Sequence, residues 1–288
     1  MTFPKTYDSA FFPILSSSLP LVVSKNTVSR HFHLHRHDCI EFSLVLEGSG
    51  TEWVNGVPHP LKPGTVTFIL PYQFHEIYNQ GAQPLQLFNC MFGIELLGAP
   101  GQHALKPEEW LPGFSESPHC QLTMPTQHEQ LFRLMNELLE EFQGDAALRA
   151  PLLKAKLSEI LIRLRRFRSI PAQTSTGMDA RPAYESPLIS QILLYLTIHY
   201  GEELSLEAVA ARFHISKVHL CNELKKSTSK TFKELVNEVR LRQACSLLVS
   251  TKLKVTDIGH EAGFQSAATF FRIFKQNKGM SPEEYRNL

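Results

Sequence analysis

The chain has 288 residues, 43% of them hydrophobic and 20% charged, and its formal net charge is +1. This composition is typical of a soluble globular protein, and no apolar run approaches the roughly 20 residues of a membrane span. The start MTFPKTYDSAFF lacks the features of a signal peptide. The five scattered cysteines form no CxxC pair, so the pattern suggests no disulfide framework and favours the reduced cytoplasm.

The first hundred residues are predicted to form short strands. Ile40–Leu46 is an apolar run, and Thr51–Val54 leads into Asn55-Gly56, a strong hairpin signal. Thr65–Leu70 and Leu85–Phe92 are two further candidate strands. Closely spaced short strands joined by Gly/Pro turns predict a small barrel or sandwich.

A helical segment is predicted over residues 126–169. Thr126 is expected to cap the first helix, with Glu129 as capping-box partner and Gly144 as its end. A second helix is expected at about residues 150–168. Apolar residues recur at helical spacing in both: Leu131, Leu134, Leu138, Phe142, Leu153, Leu157, Ile160, Leu161, Leu164 and Phe167. The two stripes could both pack on the barrel, or one could form a homodimer seam.

Residues 170–187 have no periodicity and are rich in Ser, Thr, Pro and Gly, which predicts a linker. The charge changes sign across it. Residues 1–186 carry 15 Lys/Arg against 18 Asp/Glu, and residues 187–288 carry 14 against 10. The excess of cations after the linker weakly favours an anionic partner.

The last hundred residues contain a repeated helical unit. SLEAVAARFHISKVHLCNELKK (205–226) combines two short helical patterns with a tight break at His214-Ile215. A second unit over 254–277 breaks at Gly263-Phe264, and a long helix at about 232–250 joins the two. Each unit has the pattern of a helix-turn-helix, and two such units can enter successive major grooves of DNA.

Residues 188–288 resemble the AraC/XylS family of bacterial transcription regulators. The resemblance is carried by SLEAVAARFHISKVHL, FKELVNEVRLRQACSLL and VTDIGHEAGFQSAATFFRIFKQNKGMSPEEYR. It implies that the exposed faces of the two recognition helices contact DNA. By position, the DNA-binding residues are Ser216, Lys217, Val218, His219, Cys221, Asn222, Lys225, Lys226, Ser266, Ala267, Ala268, Phe271, Arg272 and Lys275.

Particular roles follow from side-chain chemistry. Asn222 could pair with adenine, and Arg272 with guanine or phosphate. The lysines, including Lys230 and Lys278, are candidate phosphate contacts, although each could equally be a solubilising surface residue.

Family members often carry an N-terminal cupin-like sensor barrel, and HFHLHRHDCIE (31–41) resembles a cupin motif. His35, His37, Glu41 and Gly48 match that motif, and Gly64, Pro71, His75 and Asn79 match part of a second. Gln73 and Ser29 depart from the metal-binding pattern, where glycines are expected.

Three interpretations of the histidines remain open. They could line an effector pocket, hold a metal, or face water while Phe32, Leu34, Ile40 and Phe42 fill the barrel. The candidate effector-binding residues are His35, His37, Glu41, Trp53, Tyr72, Gln73 and His75. The metal alternative uses His35, His37, Glu41 and His75, a donor set suited to Fe, Mn, Ni or Zn.

The predicted fold is a two-domain α+β protein, with a cupin-like β-barrel and helical dimerisation segment before an all-α double helix-turn-helix domain. The domains are predicted at 1–125, 126–169 and 188–288, around the linker at 170–187. We expect a cytoplasmic, homodimeric transcription regulator that is not an enzyme and needs no cofactor. Its expected partners are double-stranded promoter DNA, RNA polymerase and a small-molecule effector, with a sugar as first candidate by analogy. Activation is expected. The alternative is a metal-dependent cupin enzyme with a DNA-binding appendage.

Overall fold

The structure is a computed structural model that describes residues 5–7, 19–97, 119–167, 170–171 and 187–287. These residues form two compact units. The first contains residues 5–7, 21–93 and those described from 119 to 187, and the second contains 19–20, 94–97 and 188–287. Of the predicted linker 170–187, residues 172–186 lie outside the described residues.

The first unit is built around eleven strands. They are β1 (Lys5–Tyr7), β2 (Leu21–Val28), β3 (His31–His37), β4 (Ile40–Glu47), β5 (Gly50–Val54), β6 (Val57–Leu61), β7 (Thr65–Ile69), β8 (His75–Asn79), β9 (Leu85–Phe92), β10 (His119–Leu122) and β11 (Ile170–Pro171). One sheet has the order β1-β3-β8-β5-β6, and the other β11-β10-β7-β4-β9-β2. The barrel-or-sandwich prediction is confirmed as a cupin-like sandwich of two sheets.

Local turn signals set the strand boundaries. Asn55 and Gly56 both have positive φ, 48° and 85°, as a type I′ turn requires. They join β5 and β6 as an antiparallel hairpin. The prediction at Leu85–Phe92 matches β9 residue for residue. The second sheet contributes Phe42, Phe88 and Phe92, all fully buried.

Two helices follow the strands: α1 (Pro125–Gln143) and α2 (Arg149–Arg166). The predicted cap at Thr126 is wrong. Met124 is the N-cap and Gln127 the capping-box residue, because Pro125 suits the first helical position, where no N–H donor is needed. The predicted end at Gly144 is confirmed. Leu131, Leu134 and Leu138 on α1 are buried, as are Leu153, Leu157, Ile160, Leu161 and Leu164 on α2.

The second unit is helical. It contains a 3₁₀ turn at Ile94–Leu97 and helices α3 (Pro187–Ile198), α4 (Leu206–Arg212), α5 (Lys217–Thr228), α6 (Phe232–Ser250), α7 (Val255–Glu261), α8 (Ala267–Lys278) and α9 (Pro282–Arg286). The pairs α4–α5 and α7–α8 are the two predicted helix-turn-helix units, and α6 covers the predicted connector. In the described part of the chain, no helix combines the length and the apolar character needed to cross a membrane.

The two helix-turn-helix units share one turn geometry. His214 (φ 55°) and Gly263 (φ 86°) occupy the left-handed position after the first helix of each unit. The next residue donates its backbone N–H five positions back, from Ile215 to Ala210 and from Phe264 to Gly259. This hydrogen bond closes a Schellman-type helix end. The second helix of each unit then begins at a serine cap.

Candidate functional site

The sandwich brings His37 and Glu41 together from opposite sheets. After His37 at the end of β3, the chain crosses to the second sheet, and β4 begins at Ile40. His37 Nε2 lies 2.8 Å from Glu41 Oε2, and both side chains are buried. His37 Nδ1–H donates to the Cys39 carbonyl at 3.0 Å, and Glu41 Oε1 accepts from Asn89 Nδ2 at 3.0 Å. The pair is therefore held from both sides.

A β-bulge separates the four alternating histidines into two sets. The register of β3 on β8 shifts between Phe32 and His35, which moves later side chains to the other face. His31 then lies on the outer side, with Nε2 3.0 Å from Glu76 Oε2, and His33 is exposed. His35 and His37 are buried, which excludes the interpretation that they face water.

His75 on β8 completes the buried cluster. It is paired in register with His35, and their ring centroids lie 4.0 Å apart. Its Nδ1 is hydrogen-bonded to Glu52 Oε1 at 3.1 Å. Its Nε2 is buried and has no hydrogen-bond partner among the residues described. The cluster thus combines three histidines with two carboxylates.

Burial and mutual contacts divide these groups into charged and neutral members. Burial opposes charge on Glu41, but His37, His75 and His35 outweigh it and lower the Glu41 pKa to about 2. Burial likewise opposes charge on His37, but its contacts with Cys39 and Glu41 raise its pKa well above the ordinary value. His37 and Glu41 are therefore a buried ion pair at neutral pH.

The other members stay neutral over much of the acidic range. Burial, aided by the nearby His75, lowers the His35 pKa to about 3. Burial lowers the His75 pKa to about 4. Burial raises the pKa of the Glu52 carboxyl to about 7. A neutral imidazole offers one donor and one acceptor nitrogen. Because the His35 Nδ1–H donates to the His33 carbonyl, the Nε2 of neutral His35 is an acceptor.

A cavity of about 380 Å³ lies between the two sheets beside this cluster. Such a volume suits a small molecule. The polar lining is Ser24, Asn26, Thr27, His35, Glu41, Ser43, His75 and Asn89, and the apolar lining is Val22, Val28, Phe32, Ile77, Leu87 and Met91. Of the seven predicted effector-binding residues, three line this cavity: His35, Glu41 and His75. His37 is not in the lining of this cavity, but it is paired with Glu41, which is.

Trp53, Tyr72 and Gln73 do not line this cavity. Trp53 is paired in register with Glu76 and lies on the opposite strand face from Glu52. Tyr72 has φ 66°, and its N–H donates to the His37 carbonyl at 2.6 Å. The Gln73 Oε1 accepts from the Leu70 N–H at 2.8 Å. Both are thus fixed within the turn before β8.

Two residues of the site carried a sequence signal that the prediction did not use. Glu52 and Asn89 are polar residues in the largely buried strands β5 and β9. A polar residue in a buried strand requires a partner, and each finds one: Glu52 at His75 and Asn89 at Glu41.

Three residues of the cluster could hold a metal ion. Ligand atoms of His37, Glu41 and His75 all lie within 4.8 Å of one another, and all three residues are buried. Two imidazoles and a carboxylate suit Fe, Mn, Ni or Zn. His35, the fourth predicted ligand, is outside this group, and its Nδ1–H donates to the His33 carbonyl at 2.8 Å.

The first recognition helix, α5, presents its predicted face to solvent. Val218 is 70% exposed, and Lys217, His219, Cys221, Asn222, Lys225 and Lys226 are also exposed. Ser216 has a different task, since its Oγ accepts from the His219 N–H as the helix cap. Leu220 and Leu224 form the opposite, buried face.

The second recognition helix, α8, is less uniformly exposed. Ala268, Arg272 and Lys275 are exposed, whereas Ala267 and Phe271 are half-buried. The Phe271 ring lies 5.6 Å from that of Phe270 in the core, so much of it packs against the unit. Ser266 caps the helix by accepting from the Thr269 N–H.

The chain matches two family models. A helix-turn-helix domain matches residues 209–288, and a cupin domain matches residues 21–91. The first covers both recognition helices, and the second covers the buried histidine cluster.

Relatives of similar length match almost end to end. The HTH-type transcriptional activator RhaS of Salmonella arizonae is 27% identical over 284 residues, 96% of this chain and 94% of that protein. RhaS of Salmonella schwarzengrund is 26% identical over the same share of both chains.

Solved structures were also found. The C-terminal domain of AraT, a response regulator from Geobacillus stearothermophilus, is 30% identical, covers 36% of this chain and 87% of that chain, and has a TM-score of 0.35. ToxT from Vibrio cholerae is 13% identical, covers 93% of this chain and 97% of that chain, and has a TM-score of 0.38.

Proposed function

Because this chain belongs to the AraC/XylS family of transcription regulators and carries a cupin domain before its two helix-turn-helix units, we propose that it is a homodimeric activator of transcription controlled by a small molecule in the sandwich cavity. The observation that carries the proposal is the cavity itself. It places buried polar groups from both sheets beside an apolar wall, as specific small-molecule sites do.

The chemistry of the cavity favours an uncharged effector with hydroxyl groups. Glu41 is already neutralised by His37 at 2.8 Å, so the wall offers no free charge to an ionic ligand. His35, His75 and Asn89 offer donors and acceptors. A carbohydrate remains our first candidate. Trp53 and Tyr72 lie outside the lining, and Phe32 supplies its phenyl ring.

In this proposal the exposed faces of α5 and α8 enter adjacent major grooves. Asn222 and Arg272 contact base edges, while Lys225, Lys226 and Lys275 contact phosphates. Val218 can contact only apolar features such as a thymine methyl group. Effector binding changes the equilibrium between DNA-competent and incompetent states, and the DNA-bound chain recruits RNA polymerase in the cytoplasm.

The helical pair offers an apolar surface for the dimer. Eight of the ten residues in the predicted stripes are buried, and Phe142 and Phe167 are half-buried. In contrast, Leu148 and Leu152 are 79% and 44% exposed. Exposed leucines grouped at one helix end support a contact with a second copy. We expect Leu152→Lys to shift the chain toward monomer in sedimentation equilibrium, and an unchanged dimer would exclude this seam.

We further propose that the chain catalyses no reaction. The matched relatives are named as activators, which gives the alternative of a metal-dependent enzyme no support. Metal analysis of the purified chain checks the alternative, since a stoichiometric metal lost in His37→Ala and Glu41→Gln variants would favour it.

DNA binding is tested by selection from random duplexes. The full chain should enrich a site containing two half-sites about one helical turn apart. Affinity should fall steeply as salt rises, because phosphate contacts release counterions. Failure to enrich any sequence, with salt-independent retention of DNA, would refute the proposal.

The effector site is tested by filling the cavity. Ser24 is half-buried and lines the cavity, so Ser24→Phe should remove a ligand-induced rise in melting temperature across a panel of sugars. Val57 is exposed on β6, and Val57→Phe is the matched control. Equal ligand response in the two variants would place the effector elsewhere.

A further inference from the structure

The second unit contains a buried arginine at the middle of its connector helix. Arg240 on α6 is 9% exposed. Its Nε–H donates to the Tyr200 carbonyl at 2.9 Å, and its Nη2–H donates to the Glu202 carbonyl at 3.0 Å. Both carbonyls belong to the turn that follows the end of α3, where a backbone carbonyl outside regular structure needs a donor from elsewhere. Arg240 therefore attaches α6 to the segment that leads into the first helix-turn-helix unit.

Helix α3 itself packs against the first helix-turn-helix unit. The ring centroids of Tyr195 and Phe213 lie 5.6 Å apart, and the Arg212 guanidinium lies 4.7 Å from the Tyr195 ring centroid. Ser205, which caps α4, follows Glu202 after only two residues. A displacement of the Tyr200–Glu202 segment would thus displace α4 and α5 as well.

The turn of the other helix-turn-helix unit reaches the same place. A Cβ atom on Gly263 would lie 2.5 Å from the Tyr200 oxygen and 3.0 Å from Arg240 Nε. The Arg240 guanidinium also lies 6.0 Å from the ring centroid of Phe264, the next residue. The backbone of Gly263 therefore packs directly on the backbone at Tyr200. No space is left for a side chain between the two helix-turn-helix units at this point.

We propose that Arg240 and Gly263 lock the two helix-turn-helix units to each other and so set the spacing at which α5 and α8 enter DNA. This inference rests on the proposed function. Both are positioning residues, because they are buried and act through Tyr200 rather than on DNA. The lock explains why an arginine, with donors in a fixed fork, is buried in the connector. Its side chain reaches two carbonyls of the segment that leads into the first helix-turn-helix unit and packs beside the turn of the second.

The chain offers a matched control for Gly263. Gly279 also has a positive φ, 73°, but a Cβ there would meet nothing within 4 Å. Gly263→Ala and Gly279→Ala therefore share the conformational cost of a side chain in the left-handed region. Only Gly263→Ala pushes against the Tyr200 carbonyl, so any difference between the two variants isolates the contact between units.

Arg240 has a control on its own helix. Arg240→Met keeps an unbranched stem beside Phe264 and removes both hydrogen bonds. Lys233 is exposed on α6, and Lys233→Met removes a cation there without touching the lock. Arg240→Lys, which keeps the charge but not the fork, serves if the methionine variant does not fold.

The spacing is measured first without DNA. Spin labels on the exposed native Cys221 of α5 and on Gln276→Cys of α8, in a full chain with Cys120→Ser, report the distance between the recognition helices. We expect one narrow distribution in the parent, Lys233→Met and Gly279→Ala. Arg240→Met, or Arg240→Lys, and Gly263→Ala should shift or broaden it. Unchanged distributions in the lock variants would overturn the inference.

DNA binding then separates this inference from the proposed function. On the selected duplex, lock variants should lose up to about a hundredfold in affinity while keeping the parent's affinity for a single half-site, because they lose the linked second contact. Equal losses on both duplexes would refute a positioning role. If the parent binds no DNA, the proposed function fails, and the spin-label distances still decide whether the lock exists.

Discussion

Two ion pairs in this chain have nearly equal lengths and opposite surroundings. His37 Nε2 and Glu41 Oε2 lie 2.8 Å apart with side chains 0% and 7% exposed. Lys217 Nζ and Glu207 Oε1 lie 2.9 Å apart with side chains 56% and 64% exposed. Water screens the second pair and competes for its hydrogen bonds, whereas the first has lost its hydration and depends on its partner. Distance alone therefore does not rank the two pairs.

The difference separates the two regions by what their polar groups do. In the sandwich, polar groups bond mainly to each other, so their substitution should change stability. On α5 they are open to solvent and available to DNA, so their substitution should change affinity and leave stability alone.

The largest expected effect is the loss of one member of the buried pair. Glu41→Gln keeps the shape of the side chain and leaves the His37 charge uncompensated. We expect the free energy of unfolding of the first unit to fall by about 3–5 kcal/mol, measured by urea denaturation of the full chain. Glu207→Gln should leave the urea midpoint unchanged. Equal midpoints for both variants would contradict the distinction drawn from burial.

A second expectation concerns acid. In the unfolded chain His35 and His75 bind protons near pH 6.5, whereas in the folded chain their pKa values are about 3 and about 4. Between pH 6.5 and 4.5 the unfolded state therefore binds two more protons at these sites. Glu52, with a folded pKa of about 7 against 4.5 unfolded, holds one proton more in the folded state. At these three sites the net is one proton, so they should make stability fall with falling pH by about 1.4 kcal/mol per pH unit. Burial also lowers the pKa of His59, which adds to this fall.

Glu52→Gln tests this balance. The amide cannot take up the opposing proton, so the slope of stability against pH between 4.5 and 6.5 should increase by about one proton, about 1.4 kcal/mol per pH unit. The measurement is urea denaturation across that range in the presence of a chelator, so that metal binding does not contribute. A variant whose slope equals that of the parent would show that Glu52 titrates normally.

The sequence predicts those parts of this molecule that local signals determine. Asn55-Gly56 fixes the hairpin because both residues tolerate positive φ. The span of α6 follows from its capping signal, since Thr231 and Glu234 form a capping box. The cluster was only partly predictable. His35, His37, Glu41 and His75 were expected together, but the bulge after Phe32 and the crossing after His37 depend on pairing between distant strands.

Residues around the site show the same limit. Trp53 was expected in the pocket as a side chain suited to a sugar, but strand alternation turns Glu52 inward instead. Glu52 and Asn89 become recognisable only when β5 meets β8 and β4 meets β9. Composition and residue spacing do not predict which distant strand will pair with a given strand.

On the exposed side of the comparison, Asn222→Ala should change affinity and not stability. Loss of a bidentate contact to adenine should cost about 1–3 kcal/mol of binding free energy at that base pair and relax its sequence preference. Competition binding on selected and single-base variant duplexes measures both. Lys225→Ala is the comparison: it should weaken all duplexes alike and lower the salt slope by about one. A specificity change in Lys225→Ala with none in Asn222→Ala would reverse these roles.

The smallest expected effect is conformational. His214 is exposed and has φ 55° at the turn of the first helix-turn-helix unit, where the second has Gly263. A left-handed non-glycine residue costs about 1–2 kcal/mol, and glycine returns part of this as lost chain entropy. His214→Gly should therefore raise the stability of the second structural unit by about 0.5–1 kcal/mol. His260→Gly, at an exposed helical position of α7, should lower it by about 1 kcal/mol. If His214→Gly instead lowers stability as His260→Gly does, the His214 imidazole itself must stabilise the turn. An exposed polar side chain of the helical unit would then contribute to folding stability, contrary to the distinction drawn between buried and exposed groups.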